Sequence, residues 1–386
     1  MALPDANSSF DEIAAGDAAD VFARAARALV AAGDFHRLFE LRLLERQHEL
    51  GLPAGRRQSF DEVDEAVREP LERGYLAACR EAGALLAEAG RLREAWVYLR
   101  PTGEKALLRE KLARLNPAES ELDELVELAL FEGVDPERGF AWLLGRSGTC
   151  NAITTLDGLQ PQLTPADMRA CTAVLVRHVY GELRGNLRGH LNRLTGEAPP
   201  DLSVRDLVAQ YPQLTAEGDY HLDPSHLAST VRNARVLEEP ALVEKALQLA
   251  EYGAHLPADL QYPGEPPFEQ LYESHRLLFA ATLGREQDVA AAREFFAAEA
   301  RRATSAPSGH VALETLLVLL MRVGDPAAAL DAYAELAPAE VELSPYAPTP
   351  LELAMASGEW EQYEQLCRSR NDVVGFAGGL LARTKR

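Results

Sequence analysis

The stretch LLMRVGDPAAALDAYAEL, residues 319–336, decides the fold. An apolar segment with helical spacing ends at Gly324, and an alanine-rich segment with the same spacing follows it. Glycine can adopt the left-handed backbone that ends a helix without the steric penalty that a Cβ atom would cause. The stretch therefore predicts two consecutive helices joined by a tight turn at Gly324.

The same pattern recurs along the chain. A helix-like segment that ends in glycine is followed within a few residues by an alanine-rich or aromatic segment at Gly33, Gly90, Gly133, Gly284 and Gly358. Apolar residues recur at helical spacing through most of the chain, and alternating β-branched runs of strand length are scarce. These patterns predict an all-α fold built from helical hairpins.

The hairpins resemble those of the tetratricopeptide-repeat family and related helical-hairpin families, in which a glycine near the turn precedes a small residue that lets the two helices approach. Gly90 with Ala95 and Gly324 with Ala329 keep this five-residue step. Gly324 and Gly358 lie 34 residues apart, the tetratricopeptide period, whereas the other glycine spacings depart from it. The resemblance implies a degenerate right-handed α-α superhelix, a solenoid in which each hairpin buries its apolar face against its neighbours.

The middle of the chain departs from this pattern. Thr164 and Pro165 are typical of a helix start, and the residues after them predict a helix of about thirty residues, roughly 45 Å long. Two long proline-containing connections follow this helix. We therefore expect helical-hairpin repeats over residues 1–160, an irregular central unit over 161–283 and tetratricopeptide-like hairpins over 284–386.

The chain is strongly acidic. Its 39 Lys and Arg residues stand against 60 Asp and Glu, which gives a formal charge of −21. Such a charge repels nucleic acids and acidic membrane surfaces unless a local basic patch intervenes, so we expect neither as a partner. The N-terminal residues are acidic where a secretory signal would be basic, and the 4 cysteines form no C-x-x-C pair. Both features favour a cytoplasmic protein.

One stretch gathers residues that could carry chemistry: EGDYHLDPSHLAST, residues 217–230. Asp223 before Pro224 is typical of a helix cap, which is enough to explain the aspartate. The histidines around this cap could also converge with a histidine of a later helix, since catalytic zinc typically has three protein ligands and one open position. The candidates are His221, His226 and His275 as metal ligands, and Asp223, Glu269 and Tyr272 as catalytic acid–base residues. The alternative is an ordinary cap with surface histidines.

A second unusual feature lies inside the predicted long helix. Three glycines repeat there at four-residue steps, namely Gly181, Gly185 and Gly189, and each costs about 1 kcal/mol relative to alanine. A groove in which a neighbouring helix packs closely would explain them. Alternatively, Arg177, Arg184 and Arg188 share one helix face and form a cationic stripe that binds a carboxylate or phosphate through bidentate contacts.

Two classes of function are compatible with these features. In the first, the chain is a scaffold that binds a peptide or protein partner on a concave face, as helical-repeat superhelices commonly do. In the alternative, the central unit holds an enzyme pocket of hydrolase or lyase type, in which the candidate side chains bind zinc or exchange protons. A small anionic ligand at the arginine stripe is a further expectation.

Overall fold

The computed structural model describes residues 10–11, 13–15, 17, 20–53, 63–303, 309–338 and 343–384. All regular secondary structure in these ranges is helical, which confirms the all-α prediction. None of the helices in these ranges combines the length and the apolar character that crossing a membrane requires.

The chain divides into two compact units, residues 1–142 and 143–386. The α-helices that begin in the first unit are α1 Val21–Ala32, α2 Phe35–Glu49, α3 Glu65–Glu88, α4 Leu92–Leu99, α5 Ala106–Ala113, α6 Leu122–Val126 and α7 Pro136–Leu159. Those of the second unit are α8 Pro165–Thr195, α9 Val204–Gln210, α10 Pro224–Asn233, α11 Pro240–Ala254, α12 Leu271–Thr282, α13 Glu286–Ala303, α14 Gly309–Arg322, α15 Pro326–Leu336, α16 Pro350–Ser357, α17 Trp360–Ser369 and α18 Val373–Thr384. The division into three parts that the sequence suggested stays a prediction.

The predicted helix-ending glycines are confirmed. Gly33, Gly90, Gly133, Gly284, Gly324 and Gly358 all have φ between 69° and 82°. Ala95 and Ala329, the small residues that the repeat resemblance places after two of these turns, are fully buried. The local chemistry of the hairpin turns was therefore readable from the sequence.

In the first unit, α1 packs on α2, α2 on α3, and α3 on α4. Close packing of α3 on α4 depends on Gly83, because a Cβ atom there would lie 2.6 Å from Leu99 Cγ. The apolar core joins buried residues of α2, α3, α4 and α5, with Trp96 and Leu108 among them.

In the second unit, α11 to α16 also pack on their neighbours in sequence, and a second apolar core forms around Phe296 and Leu317. The long helix α8 behaves differently, because its packing partners are α9, α10 and α11. It has 31 residues and begins as predicted, with the Thr164 hydroxyl accepting a hydrogen bond from the backbone N–H of Asp167. The stacked helices and the irregular central region agree with the predicted solenoid; the right-handed sense of the superhelix stays a prediction.

Candidate functional site

A groove runs beside the second half of α8 and has a volume of about 410 Å³. It is lined by Glu182, Gly185, Asn186, Gly189 and Arg193 of α8, and by Tyr220, His221, Leu222 and Asp223 of the segment before α10. We call it the α8 groove. The structure thus brings together two features that the sequence presented separately, the glycine repeat and the histidine-containing stretch.

The face of α8 that carries the glycine repeat is open, and Gly185 and Gly189 of this repeat form the floor of the α8 groove. A Cβ atom at Gly181 or Gly185 would have no described atom within 4 Å. At Gly189 such an atom would meet only Arg193 Nη1, at 3.6 Å. In the part of the chain that the structure describes, no neighbouring helix packs on this stripe, so that explanation of the glycines is wrong. The cost of three helical glycines is not offset by packing within the described residues.

The wall of the groove is fixed by hydrogen bonds to its backbone. The Asn186 side-chain amide donates to the carbonyl oxygen of His221 at 2.7 Å, and the backbone N–H of His221 donates to the Tyr252 hydroxyl at 3.0 Å. Asp223 caps α10, as predicted, by accepting from the backbone N–H groups of Ser225 and His226. The hydrogen bond from the Ser225 hydroxyl is the main reason that the pKa of Asp223 is lowered. The carboxylate therefore has a structural role in holding the wall.

Behind the wall, two imidazoles and a phenol form a hydrogen-bonded chain. His190 Nδ1 lies 2.8 Å from His221 Nε2, and His221 Nδ1 lies 2.9 Å from the Tyr252 hydroxyl. Farther along, His190 Nε2 lies 3.9 Å from Asp219 Oδ2. The chain thus links α11, the wall segment and α8.

The proton positions in this chain follow from its donors and acceptors. Burial raises the pKa of Tyr252 to about 12, so the phenol keeps its proton. Its oxygen accepts from the backbone of His221, and its proton satisfies His221 Nδ1. His221 Nε2 then carries a proton and donates to His190 Nδ1, which leaves the proton of His190 Nε2 facing Asp219. Both ring nitrogens of His221 are therefore engaged in the neutral state, and burial, followed by the nearby His190, lowers the pKa of His221.

No role was assigned from the sequence to His190 or Tyr252, and of the two only His190 had a signal that could have been read. His190 lies four residues after Asn186 on α8, and both side chains contact His221. Residues four apart share a helix face, so the pair was a readable signal. What the sequence could not show is that residue 221, on a separate segment, folds against that face.

His275 lies elsewhere, in the interior of the second unit. It is fully buried, and its ring stacks on Phe268 with centroids 4.1 Å apart. Its Nδ1 donates to the carbonyl oxygen of Leu271 at 2.6 Å, whereas its Nε2 is buried and has no partner among the described residues. Burial, followed by the charge of Arg235, lowers the pKa of His275 to about 3, so the ring stays neutral. α12 contacts α10, but the imidazole of His275 packs in the apolar core.

The remaining candidates for a zinc or acid–base site each contact a different part of the protein. Tyr272 packs against Gly253, where a Cβ atom would lie 2.2 Å from the tyrosine ring, and burial raises its pKa. Glu269 pairs with Arg302 at 2.8 Å, and His226 lies in the first turn of α10. The described residues contain no group of three or more His, Cys, Asp or Glu side chains that could hold a metal ion. Zinc binding by His221, His226 and His275 stays a prediction.

The arginines of the predicted stripe already contact other groups of the protein. Arg184 donates to the carbonyl oxygen of Leu202 at 2.7 Å and pairs with Asp201. Arg188 donates to the carbonyl oxygen of Pro199 at 3.2 Å. Arg177 lies 3.9 Å from Glu239. Two of the three guanidinium groups therefore tie the segment after α8 back onto the helix; anion binding at the stripe stays a prediction.

No protein-family model, curated protein or solved structure matches this chain. The geometry of its sites is accordingly the basis for assigning a function.

Proposed function

We propose that the protein is a helical-repeat scaffold that binds an extended peptide segment of a partner protein in the α8 groove. The observation that supports this proposal is the open glycine floor. Gly185 and Gly189, the two glycines of the repeat that line the groove, cost about 2 kcal/mol together relative to alanine. Glycine keeps the floor at the level of the helix backbone, so a peptide chain can approach more closely than any side chain would allow.

The charge of the groove indicates the chemistry of this partner. Glu182 and Asp223 contribute carboxylates to the lining, against the single guanidinium of Arg193. The whole chain has a formal charge of −21, which favours association with a basic surface. Tyr220, with 57% of its surface exposed, offers an aromatic side chain at the rim. We therefore expect a basic peptide segment.

The hydrogen-bonded chain of His190, His221 and Tyr252 supports binding rather than catalysis at the α8 groove. A general base or a metal ligand needs a ring nitrogen with a free lone pair that faces the substrate or ion. Both ring nitrogens of His221 have protein partners within 2.9 Å. In this arrangement His221 positions the wall of the groove.

The test uses two substitutions that fill the floor. Tagged wild-type protein and the double variant Gly185→Ala/Gly189→Ala are used to capture partners from lysate of the cells that produce the protein. Gly158→Ala is the matched control, because Gly158 is also an open helical glycine but does not line the groove. We expect the wild type and the control to recover the same partner and the double variant to lose it. Equal recovery by the double variant would overturn the proposal.

A cross-linking arm identifies what lies in the groove. A photoreactive phenylalanine analogue at position 220 is expected to cross-link to a segment of the partner that is rich in Lys or Arg. A cross-link to an acidic segment would contradict the proposed partner chemistry. Because alanine at positions 185 and 189 is expected to stabilise α8, loss of binding in the double variant cannot be attributed to unfolding.

A further inference from the structure

A second cavity in the unit formed by residues 143–386 has a volume of about 550 Å³. Its wall is formed by residues of α8, α12 and α14, by the turn at Ala234–Val236 and by the segment 343–347. None of the residues that line the α8 groove lines this cavity. We call it the arginine cavity, after Arg169, Arg235 and Arg322 in its lining.

The carboxylates in the lining of the arginine cavity already have partners. Glu238 pairs with Arg169 at 2.9 Å, and Arg169 also donates to the carbonyl oxygen of Val236. Glu314 accepts from the backbone N–H of Ser344 at 2.6 Å and from its hydroxyl at 2.8 Å. The Arg169 charge is thus matched within the protein. Glu314 holds the segment 343–347 through neutral donors, and its carboxylate also attracts Arg235 from beyond ion-pair distance.

Arg235 has no described carboxylate within ion-pair distance. Its Nε donates to the carbonyl oxygen of Arg232 at 3.0 Å, and its guanidinium carbon lies 5.0 Å from the centre of the Phe268 ring. These contacts fix the plane of the guanidinium but leave its two terminal nitrogens without an acceptor among the described residues. Burial is the main reason that the pKa of Arg235 is lowered.

Arg322 also has no described carboxylate within ion-pair distance. Its Nη2 donates to the carbonyl oxygen of Arg235 at 2.9 Å, and its Nε is buried with no hydrogen-bond partner in the described part of the chain. Burial lowers the pKa of Arg322 to about 10, and the group is still charged at neutral pH. The hydroxyl of Tyr346, which also lines the cavity, is likewise buried without a partner. Three residues that line this cavity therefore have donors without an acceptor among the described residues, and the Arg322 Nε and the Tyr346 hydroxyl are covered by protein atoms.

An anion in this cavity would supply a partner for the charges of Arg235 and Arg322. Arg235 and Arg322 are half-buried, and a charge that is partly removed from water without a partner destabilises a protein. A chain with 60 acidic residues has many carboxylates that could have supplied a partner. Arginine presents donors in a rigid fork that matches carboxylate and phosphate groups. The apolar part of the wall, formed by Leu278, Val311, Val318 and Leu343, requires a ligand with a carbon body as well.

We propose that the arginine cavity binds a small organic dianion, with one negative charge for each of Arg235 and Arg322 and an apolar body against the aliphatic wall. Dicarboxylates and phosphate monoesters share this chemistry. A lone inorganic ion does not, because a cavity of about 550 Å³ is many times larger than the roughly 30 Å³ that one water molecule occupies.

The test titrates the 386-residue chain with matched probes. Calorimetry measures binding, and thermal unfolding measures the change in Tm. The dianions are adipate and phenyl phosphate; hexanoate and benzyl alcohol are their analogues with one and no charge. We expect at least one dianion to bind and to raise Tm, with an affinity about tenfold or more above that of its analogue. Binding of adipate alone or of phenyl phosphate alone distinguishes the two sources of negative charge.

Variants then locate the site. Arg235→Gln and Arg322→Gln are each expected to weaken dianion binding about tenfold or more. Arg302→Gln is the control, because Arg302 is exposed and paired with Glu299 and Glu269. Without added anion, Arg322→Gln is expected to leave Tm unchanged or to raise it, since it removes a half-buried charge that has no described carboxylate partner. A purely structural arginine would instead lower Tm when replaced.

Several results would overturn the proposal. One is that neither dianion binds at millimolar concentration. Another is equal binding by the dianion and its analogue, or by inorganic phosphate, which would mean that the second charge or the carbon body is not recognised. A third is dianion binding that persists unchanged in both cavity variants. None of these results bears on peptide binding in the α8 groove.

Discussion

Acid is expected to destabilise the protein through His275. This imidazole is fully buried against Phe268, and its pKa in the folded protein is about 3, lowered by burial and then by the charge of Arg235. In the unfolded chain an exposed histidine has a pKa of about 6.5. The unfolded state therefore binds a proton that the native state excludes, and stability falls as the pH drops below about 6.5 and levels off near about 3.

The size of the effect follows from these two pKa values. At about pH 5 nearly every unfolded chain is protonated at this residue, while the native ring remains neutral. Linkage between protonation and folding then gives a loss of about 2 kcal/mol in unfolding free energy between about pH 7.5 and about pH 5. This is a large share of the 5–15 kcal/mol or so that typically stabilises a domain.

The assay is urea unfolding, followed by helical circular dichroism, of the wild type and of His275→Leu at both pH values. Leucine has a similar size and does not titrate, so the pH-dependent loss should be smaller in the variant by about 2 kcal/mol. NMR titration of the His275 ring in the folded protein supplies a direct check. An equal loss in both proteins, or a native ring that titrates above about pH 5, would refute the reasoning.

Four further substitutions test the α8 groove and its surroundings. Gly185→Ala and Gly189→Ala should each raise the unfolding free energy by about 1 kcal/mol in urea unfolding, because the added methyl group meets open space; a decrease would reveal a contact that this argument excludes. Gly253→Ala should lower stability by about 1–3 kcal/mol, since its Cβ would lie 2.2 Å from a packed tyrosine ring, and an unchanged Tm would contradict this. Tyr252→Phe should cost about 1–3 kcal/mol and speed hydrogen exchange of the His221 amide, which loses its acceptor; unaltered exchange would count against the hydrogen-bonded chain.

Features that depend on neighbouring residues along the chain were predictable from the sequence. The turn at Gly324 follows from the backbone freedom of glycine, and the starts of α8 and α10 follow from Thr164 and Asp223 as caps. Each of these involves atoms within a few residues of each other. Local steric and hydrogen-bonding rules are therefore sufficient to place them.

Features that depend on distant residues were not predictable in the same way. Helical spacing showed that Arg184 and Arg188 share a face, but not that residues 199–202 fold back to cover them. Nothing in the sequence distinguishes Arg235 and Arg322, because their lack of carboxylate partners among the described residues exists only in the folded chain. Periodicity identifies which face of a helix is shared, and tertiary packing decides what meets that face.

The zinc prediction has a direct check of its own. Protein purified without a histidine tag is analysed for metal, together with His221→Ala and His275→Ala. If the prediction holds, about one equivalent of zinc is present in the wild type and is lost in both variants. Metal-free wild-type protein would contradict it.

The two unmatched guanidinium groups also have a consequence for directed evolution. Selection for heat resistance alone should enrich acidic replacements on the aliphatic wall, such as Val318→Glu, because an internal carboxylate would neutralise Arg235 or Arg322 permanently. Such variants would gain thermal tolerance and lose the capacity to accept an external anion. Selection for thermal stability and selection for anion binding therefore favour different residues at the cavity wall.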